Sequence, residues 1–335
     1  MKPIPQQVEP ELLPYLDLKG RGKVCELYDL PDYFDLRFKV ISDRVSVHDI
    51  ILPFLIPGKG EVLNFVDHFW RSQFPEVRHD VVAIGSQVDQ YLPARLRGRP
   101  GLYRQSRVIT ACGALPAELI WRSRLTGTGL KSYRQNKGVI CGQQFPEGLG
   151  EWDKLLPSAF TPTTKDPIGH DEHMTVQEFI GRFGEGPMHF TRPVFEHGEQ
   201  VAEARGIVIA DTKFEVGRNN SGKLVLIDEV LTPDSSRYLA PEDLAEALRT
   251  GKRPPSFDKQ PIRDYVLEHL GVGADTPLTD EVVAKVHGAI YPQWLIDETA
   301  GRYEELLKRL TGKTRDQYAE MLELQILLGN NTQLS

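Results

Sequence analysis

The sequence predicts an α+β protein with a β-rich N-terminal lobe and a larger mixed lobe that ends in helices. Three observations lead there: short β-rich runs punctuated by Gly and Pro fill the first third, two long alternating strands follow residue 205, and the last hundred residues carry helical periodicity. At 335 residues, and about 150 residues per domain, there is room for two lobes, expected over 1–115 and 116–335.

In chain order, Lys23–Tyr28, Phe38–Ile41, Asp80–Ile84, Arg107–Cys112 and Glu118–Arg122 read as strands. A helix interrupts them in EVLNFVDHFWRSQF, where Val62, Phe65, Val66, Phe69 and Trp70 recur at three- and four-residue spacing. Gly138 to Arg192 is rich in Pro and Gly and is expected to form long ordered loops. Gly206–Gly217 and Lys223–Leu231 are strands joined by the turn Arg218-Asn219-Asn220-Ser221-Gly222. Helices are expected at Glu242–Arg249, Ile262–Leu270, Asp280–Ala289 and Trp294–Leu310, the last with a core stripe of Leu295, Thr299, Tyr303, Leu306, Leu307 and Leu310.

Composition narrows the function classes. Fourteen Phe, eleven Tyr and four Trp argue against disorder. No apolar run approaches the ~18 residues of a membrane span, and the start MKPIPQQVEPELLPYL has no signal-peptide core, so a cytoplasmic protein without a membrane partner is expected. Cys25, Cys112 and Cys141 fit neither a zinc knuckle nor a disulfide framework and are expected as reduced thiols. The net charge is −7, but residues 91–140 hold ten basic residues and one acidic residue, Glu118. Such a block suits a nucleic-acid surface or the wall of a site for a small polyanion. Sparse aromatics and an acidic remainder favour the small polyanion over nucleic acid.

The strand pair is the richest source of candidate chemistry. Side chains alternate along a strand, so Asp211, Lys213 and Glu215 share one face while Val208, Ala210, Phe214 and Val216 share the other. A four-residue loop pairs residue 218 with 223 and sets Asp228 opposite Lys213; a three-residue loop would bring Glu229 to that face instead. Carboxylates beside an ammonium suit Mg²⁺ held jointly with substrate phosphates, and equally suit a salt-bridge ladder on an exposed sheet. Leu231-Thr232-Pro233-Asp234-Ser235-Ser236-Arg237 could hold a phosphate or be an ordinary turn. Lys19-Gly20-Arg21-Gly22-Lys23 could approach phosphates as a strand-turn-strand flap or be a solvated basic turn, and matches neither GxxxxGK[ST] nor GxGxxG. Arg122-Ser123-Arg124-Leu125-Thr126-Gly127-Thr128-Gly129 puts guanidinium and hydroxyl groups at a strand end. Gly169-His170-Asp171-Glu172-His173 lacks metalloprotease spacing, which disfavours zinc.

Taken in order, these segments resemble the SAICAR synthetase family of purine biosynthesis. The matching stretches are GKVCELYDL at 22–30, SDRVSVHDIILPFLIPGKGEVLN at 42–64, RSRLTGTGLKSY at 122–133, FTPTTKDPIGHDEH at 160–173, GIVIADTKFEVG at 206–217, IDEVLTPDSSRY at 227–238 and PSFDKQPIRDYV at 255–266. The resemblance implies a two-lobed SAICAR synthase-like fold, distantly like protein kinases and ATP-grasp enzymes, with both lobes facing one cleft. It implies a ligase that joins carboxyaminoimidazole ribotide to L-aspartate with ATP, through an acyl phosphate. By the same resemblance Gly22, Lys23 and Lys165 contact ATP phosphates, Leu115 lies near adenine, and Glu215 and Asp228 hold Mg²⁺. Arg122, Thr128 and Arg237 grip the ribotide, while Asp211, Lys213 and Asp171 line the imidazole side. Three residues depart from the common family pattern: Cys25 in place of Arg, Thr128 in place of Ser, and His173 in place of Asn.

Overall fold

The computed structural model describes residues 15–165, 172–273 and 275–329. It is an α+β protein whose chain divides into two compact units. The first takes Met1–Phe69, Val81–Ala111 and Phe257–Ser335; the second takes Trp70–Asp80 and Cys112–Ser256.

In the first unit, an antiparallel sheet runs Leu18–Arg21, Cys25–Leu30, Tyr33–Ile41, Ser106–Thr110 and Val81–Ile84 in spatial order. Its core includes Tyr28, Phe38, Val40 and Val108. A separate hairpin pairs Arg44–Val47 with Ile50–Leu55. His48 and Asp49, with φ of 50° and 66°, make its two-residue turn, which suits Asp and His because both tolerate the left-handed region. The helices Gln260–Leu270, Asp280–Gly288 and Gln293–Thr311 pack on that hairpin through Ile262, Val266, Val286 and Leu295. All six residues of the expected stripe are buried in the last of these helices.

The helix Lys59–Gln73 starts where Asp43 turns its carboxylate onto the backbone N–H groups of Gly58 (3.0 Å) and Gly60 (2.7 Å). This satisfies donors that a helix start leaves unpaired. A Cβ on Gly60 would lie 2.4 Å from the Ile41 carbonyl oxygen, so only glycine permits that approach.

The second unit is a seven-stranded sheet. Lys154–Phe160, Ala117–Arg124, Val208–Arg218 and Leu224–Ile227 are neighbours in that order, and Gly113–Ala114, Thr163–Thr164 and Ser236–Leu239 pair alongside. The helix Gly186–Glu203 covers one face: Trp121 stacks near Phe195 and donates from Nε1 to Thr191 Oγ1 at 3.0 Å, above a buried Phe214 and Val216. Alternation therefore leaves Glu118, Ile120 and Arg122 with Asp211, Lys213 and Glu215 on the opposite face.

Two expectations are corrected. Residues 138–192 are not mainly loop: they contain the strand Lys154–Phe160, the helix Val176–Phe183 and the start of Gly186–Glu203. The missed signal was Thr175-Val176-Gln177-Glu178, a reciprocal capping box that opens the first of these helices. The basic window 91–140 is not one wall. It is shared between the units, and Arg107 is buried against Asn64 and Asp67 while Arg104 pairs with Glu61 and Asp316.

Candidate functional site

The face of the second unit's sheet opposite the helix Gly186–Glu203 carries two adjoining charge clusters. In the first, Asp211 sits in register between Arg122 and Arg237 on its two neighbouring strands. Its Oδ2 accepts from Arg122 Nη1 at 2.6 Å and from Arg237 Nη1 at 3.3 Å. Arg122 also donates to Thr128 Oγ1 and Thr161 Oγ1, each at 3.0 Å. The helix Gly127–Gln135 begins beside it, and a Cβ on Gly129 would stand 3.0 Å from Arg122 Cδ, so glycine there lets the guanidinium lie along the first turn. Arg237 lies over the Trp152 ring, 5.9 Å from its centroid. One carboxylate thus orients two guanidinium groups, a charge-assisted arrangement that presents planar donors to an anion.

In the second cluster, Lys213 donates to Glu118 Oε1 at 2.7 Å and stands 3.8 Å from Glu215 Oε1, while Lys165 pairs with Glu215 Oε2. Continuing the observed pairing, Glu118 and Glu215 face each other across the strands with Lys213 on the diagonal. Burial opposes the charge on Lys213, but Glu118 and Glu215 outweigh it and raise the ammonium above the ordinary lysine value.

The register with the next strand differs from the four-residue loop expectation. Glu215 pairs with Ile227 and Arg218 with Leu224, and Asn219 N–H donates to Lys223 O at 3.0 Å, which leaves Asn220-Ser221-Gly222 as a three-residue loop. Asn219 Oδ1 accepts from Ser221 N–H and Lys223 N–H, and Gly222 takes the left-handed φ of 73° that closes it. Asp228 is therefore not opposite Lys213. It follows the strand's last residue at φ 64°, and its carbonyl accepts from Arg71 Nη2 at 3.4 Å.

Glu229 is the neighbour of Lys213 that the four-residue loop concealed. Burial, then the adjacent Asp228 and Asp234, push its carboxyl up to about 7, against a hydrogen bond from Thr232 and the charge of Lys213. A carboxyl whose pKa is raised on folding adds stability below its unfolded value, and that stability is lost as pH rises through about 7. Glu229→Gln is thus expected to lose less stability than the parent between pH 5 and pH 8, the difference being of order 1–3 kcal/mol. Urea unfolding at both pH values measures this, and parallel losses in the two proteins would count against it.

The other expected residues are distributed as follows. Leu115 is half-buried, its N–H donating to Val216 O at 2.8 Å, and Lys165 N–H donates to the next residue's carbonyl, Pro116 O, at 3.2 Å. Gly22 and Lys23 belong to the first unit, where Lys23 pairs with Asp49. Asp171 and His170 lie outside the described residues. Glu118 and Thr161 were not singled out, although Glu118 could have been: it is the lone acid of the basic window and shares strand parity with Arg122. No disulfide joins Cys25, Cys112 or Cys141. Burial pushes Cys141 up to about 11, and burial with the charge of Arg122 holds His173 below the ordinary histidine value. No helix among the described residues is long and apolar enough to cross a membrane.

Comparison with known proteins gives a consistent result. The family model described as SAICAR synthetase matches residues 18–276. A phosphoribosylaminoimidazole-succinocarboxamide synthase of Geobacter sulfurreducens is 39% identical over 311 residues, covering 90% of this chain and 96% of the relative. Another, of Stenotrophomonas maltophilia, is 35% identical over 331 residues, covering 94% and 100%. A solved SAICAR-synthase from Saccharomyces cerevisiae, complexed with SAICAR, superposes with a TM-score of 0.76 at 29% identity, covering 93% of this chain and 99% of that one.

Proposed function

Since the chain belongs to the SAICAR synthetase family, and so performs a ligation of purine biosynthesis, we propose that it joins carboxyaminoimidazole ribotide to L-aspartate at the expense of ATP. The observation that supports this most directly is the charge order on one sheet face: Arg122–Asp211–Arg237 beside Lys213–Glu118–Glu215–Lys165. The first group suits a ribotide phosphate and an imidazole carboxylate; the second suits the phosphates of a nucleotide.

In the proposed sequence an oxygen of the imidazole carboxylate attacks the γ-phosphorus, and ADP leaves. The aspartate amine then attacks the acyl carbon, inorganic phosphate leaves with the C–O bonding pair, and the nitrogen gives up a proton. Both steps bring anions together, so positioning and charge neutralisation carry most of the acceleration. Arg237 holds the ribotide phosphate, while Arg122 and Thr128 fix the ring that bears the carboxylate. Asp211 keeps both guanidinium groups in plane. Lys213, held charged by its two glutamates, offsets the charge that accumulates on the carboxylate as it meets the phosphoryl group. Lys165 and the Gly22–Lys23 turn bind ATP phosphates, Leu115 contributes to the adenine pocket, and Asp171 completes the imidazole side.

The donor set is also compatible with Mg²⁺. Among the described residues no group of three or more His, Cys, Asp or Glu side chains is arranged to hold a metal ion alone. Magnesium needs only one or two protein carboxylates when phosphates supply the rest, and crowding by Asp228 and Asp234 at Glu229 is a local excess of negative charge that a cation relieves. Glu215 and Asp228 would be its ligands, and the ion would supply charge neutralisation at the nucleotide phosphates.

The test is coupled ADP release with Mg²⁺ and ATP, varying the ribotide and L-aspartate independently. Sustained release is expected only with both present; release with the ribotide alone at the full rate would refute the ligase sequence.

A further inference from the structure

The turn Gly22–Cys25 is held from its inner side by two residues to which the ligation chemistry assigns no role. Arg44 is fully buried. Its Nε donates to the Lys23 carbonyl and its Nη2 to the carbonyls of Gly22 and Cys25, each at 3.2 Å, while Nη1 donates to Glu26 Oε1 at 2.8 Å. The remaining carbonyl, Val24 O, accepts from both Ser42 Oγ and Ser42 N–H at 2.8 Å. All four carbonyls of the turn therefore face Ser42 and Arg44. A trans peptide is planar, with its C=O and N–H opposed, so the N–H groups of Lys23 and Val24 point away from the buried guanidinium. Adjacent outward amides of this kind form concavities that receive phosphate oxygens.

Glu26 fixes the guanidinium in turn. It is buried and also accepts from Tyr28 Oη at 2.6 Å and from Arg21 Nε at 2.9 Å. Burial raises its carboxyl, but these hydrogen bonds and the two arginine charges outweigh burial and hold it below the usual glutamate value, so the pair is ionised at neutral pH. Three carbonyls and a carboxylate served from one side chain require the planar fork of arginine; a lysine ammonium has three donors on one nitrogen.

We propose that Arg44, assisted by Ser42, is a positioning residue for polyphosphate binding: it fixes the Gly22–Cys25 turn with its amide edge outward, toward the phosphates of the nucleoside triphosphate. This rests on the ATP reading above. The test compares Arg44→Lys and Ser42→Ala with the parent in KM for ATP, ribotide and aspartate, and in calorimetric affinity for inorganic tripolyphosphate. Arg44→Lys is expected to raise the KM for ATP and to weaken tripolyphosphate binding about tenfold, the equivalent of one charge-assisted hydrogen bond, with the KM for ribotide unchanged. Ser42→Ala, which keeps the backbone N–H bond, should shift both in the same direction by roughly threefold. Unchanged ATP and tripolyphosphate constants in folded Arg44→Lys, or equal rises in all three KM values, would overturn the assignment. If Arg44→Lys does not fold, Ser42→Ala decides, and parent-like constants there overturn it. A parent enzyme that forms product without ATP would refute the ATP reading instead, a result separate from any difference between variants.

Discussion

Asp228→Asn is expected to lower kcat by about 10³-fold, the scale of losing an electrostatic group that acts at the developing charge, with the fold intact. The substitution exchanges a carboxylate oxygen for an amide nitrogen and nearly conserves shape. It also suits the backbone, because Asp228 stands at φ 64° and Asn tolerates the left-handed region at least as well as Asp. The loss should therefore appear in turnover and in the Mg²⁺ concentration needed for half-maximal rate, and not in the thermal unfolding curve. Asp228→Ala is the informative contrast: it should lose turnover and, in addition, about 1 kcal/mol of stability from a side chain poorly suited to that φ. A parent-like kcat in Asp228→Asn would remove Asp228 from the metal site.

Lys213→Met should be nearly inactive and also less stable. Its ammonium stands between Glu118 and Glu215 and is attracted by Glu229, so its removal leaves three carboxylates without its compensating charge. Breaking a fully buried pair costs about 3–5 kcal/mol. Lys213 retains 30% of its side-chain exposure, so screening brings the expected cost to roughly 1–3 kcal/mol. Adding Glu118→Gln relieves part of the repulsion. The double variant Lys213→Met/Glu118→Gln should recover stability and stay inactive, which separates the structural role of the ammonium from its action on substrate. Recovery of turnover in that double variant would show that Lys213 acts only by holding Glu118.

Much of the candidate site follows from strand parity. Asp211, Lys213 and Glu215 must share a face because side chains on a strand alternate, and Arg122 follows the same logic with Glu118. Parity ends at the turn. Three or four residues between the strands select opposite faces, and hydrogen bonds from Asn219 to Lys223, with Gly222 at positive φ, select three. The left-handed Asp228 then carries the chain off the ladder, which no hydrophobic pattern encodes. The capping box at Thr175–Glu178 was legible but outweighed by the surrounding Pro and Gly.

By itself the sequence determined the family, the fold class, the helical stripe of Gln293–Thr311 and the charged row Asp211, Lys213 and Glu215, because these depend on local periodicity or on motifs in fixed order. Only the tertiary structure decided that Glu118 pairs with Lys213 and Lys165 with Glu215, and that Asp211 lies between two arginines. It likewise decided that Ile227 opposes Glu215, that Arg44 holds the carbonyls of the Gly22–Cys25 turn, and that the C-terminal helices join the N-terminal sheet in one unit. These contacts join residues far apart in the chain. Their pairing is set by loop conformation and by how buried charges find partners, not by the spacing of residues along any one element.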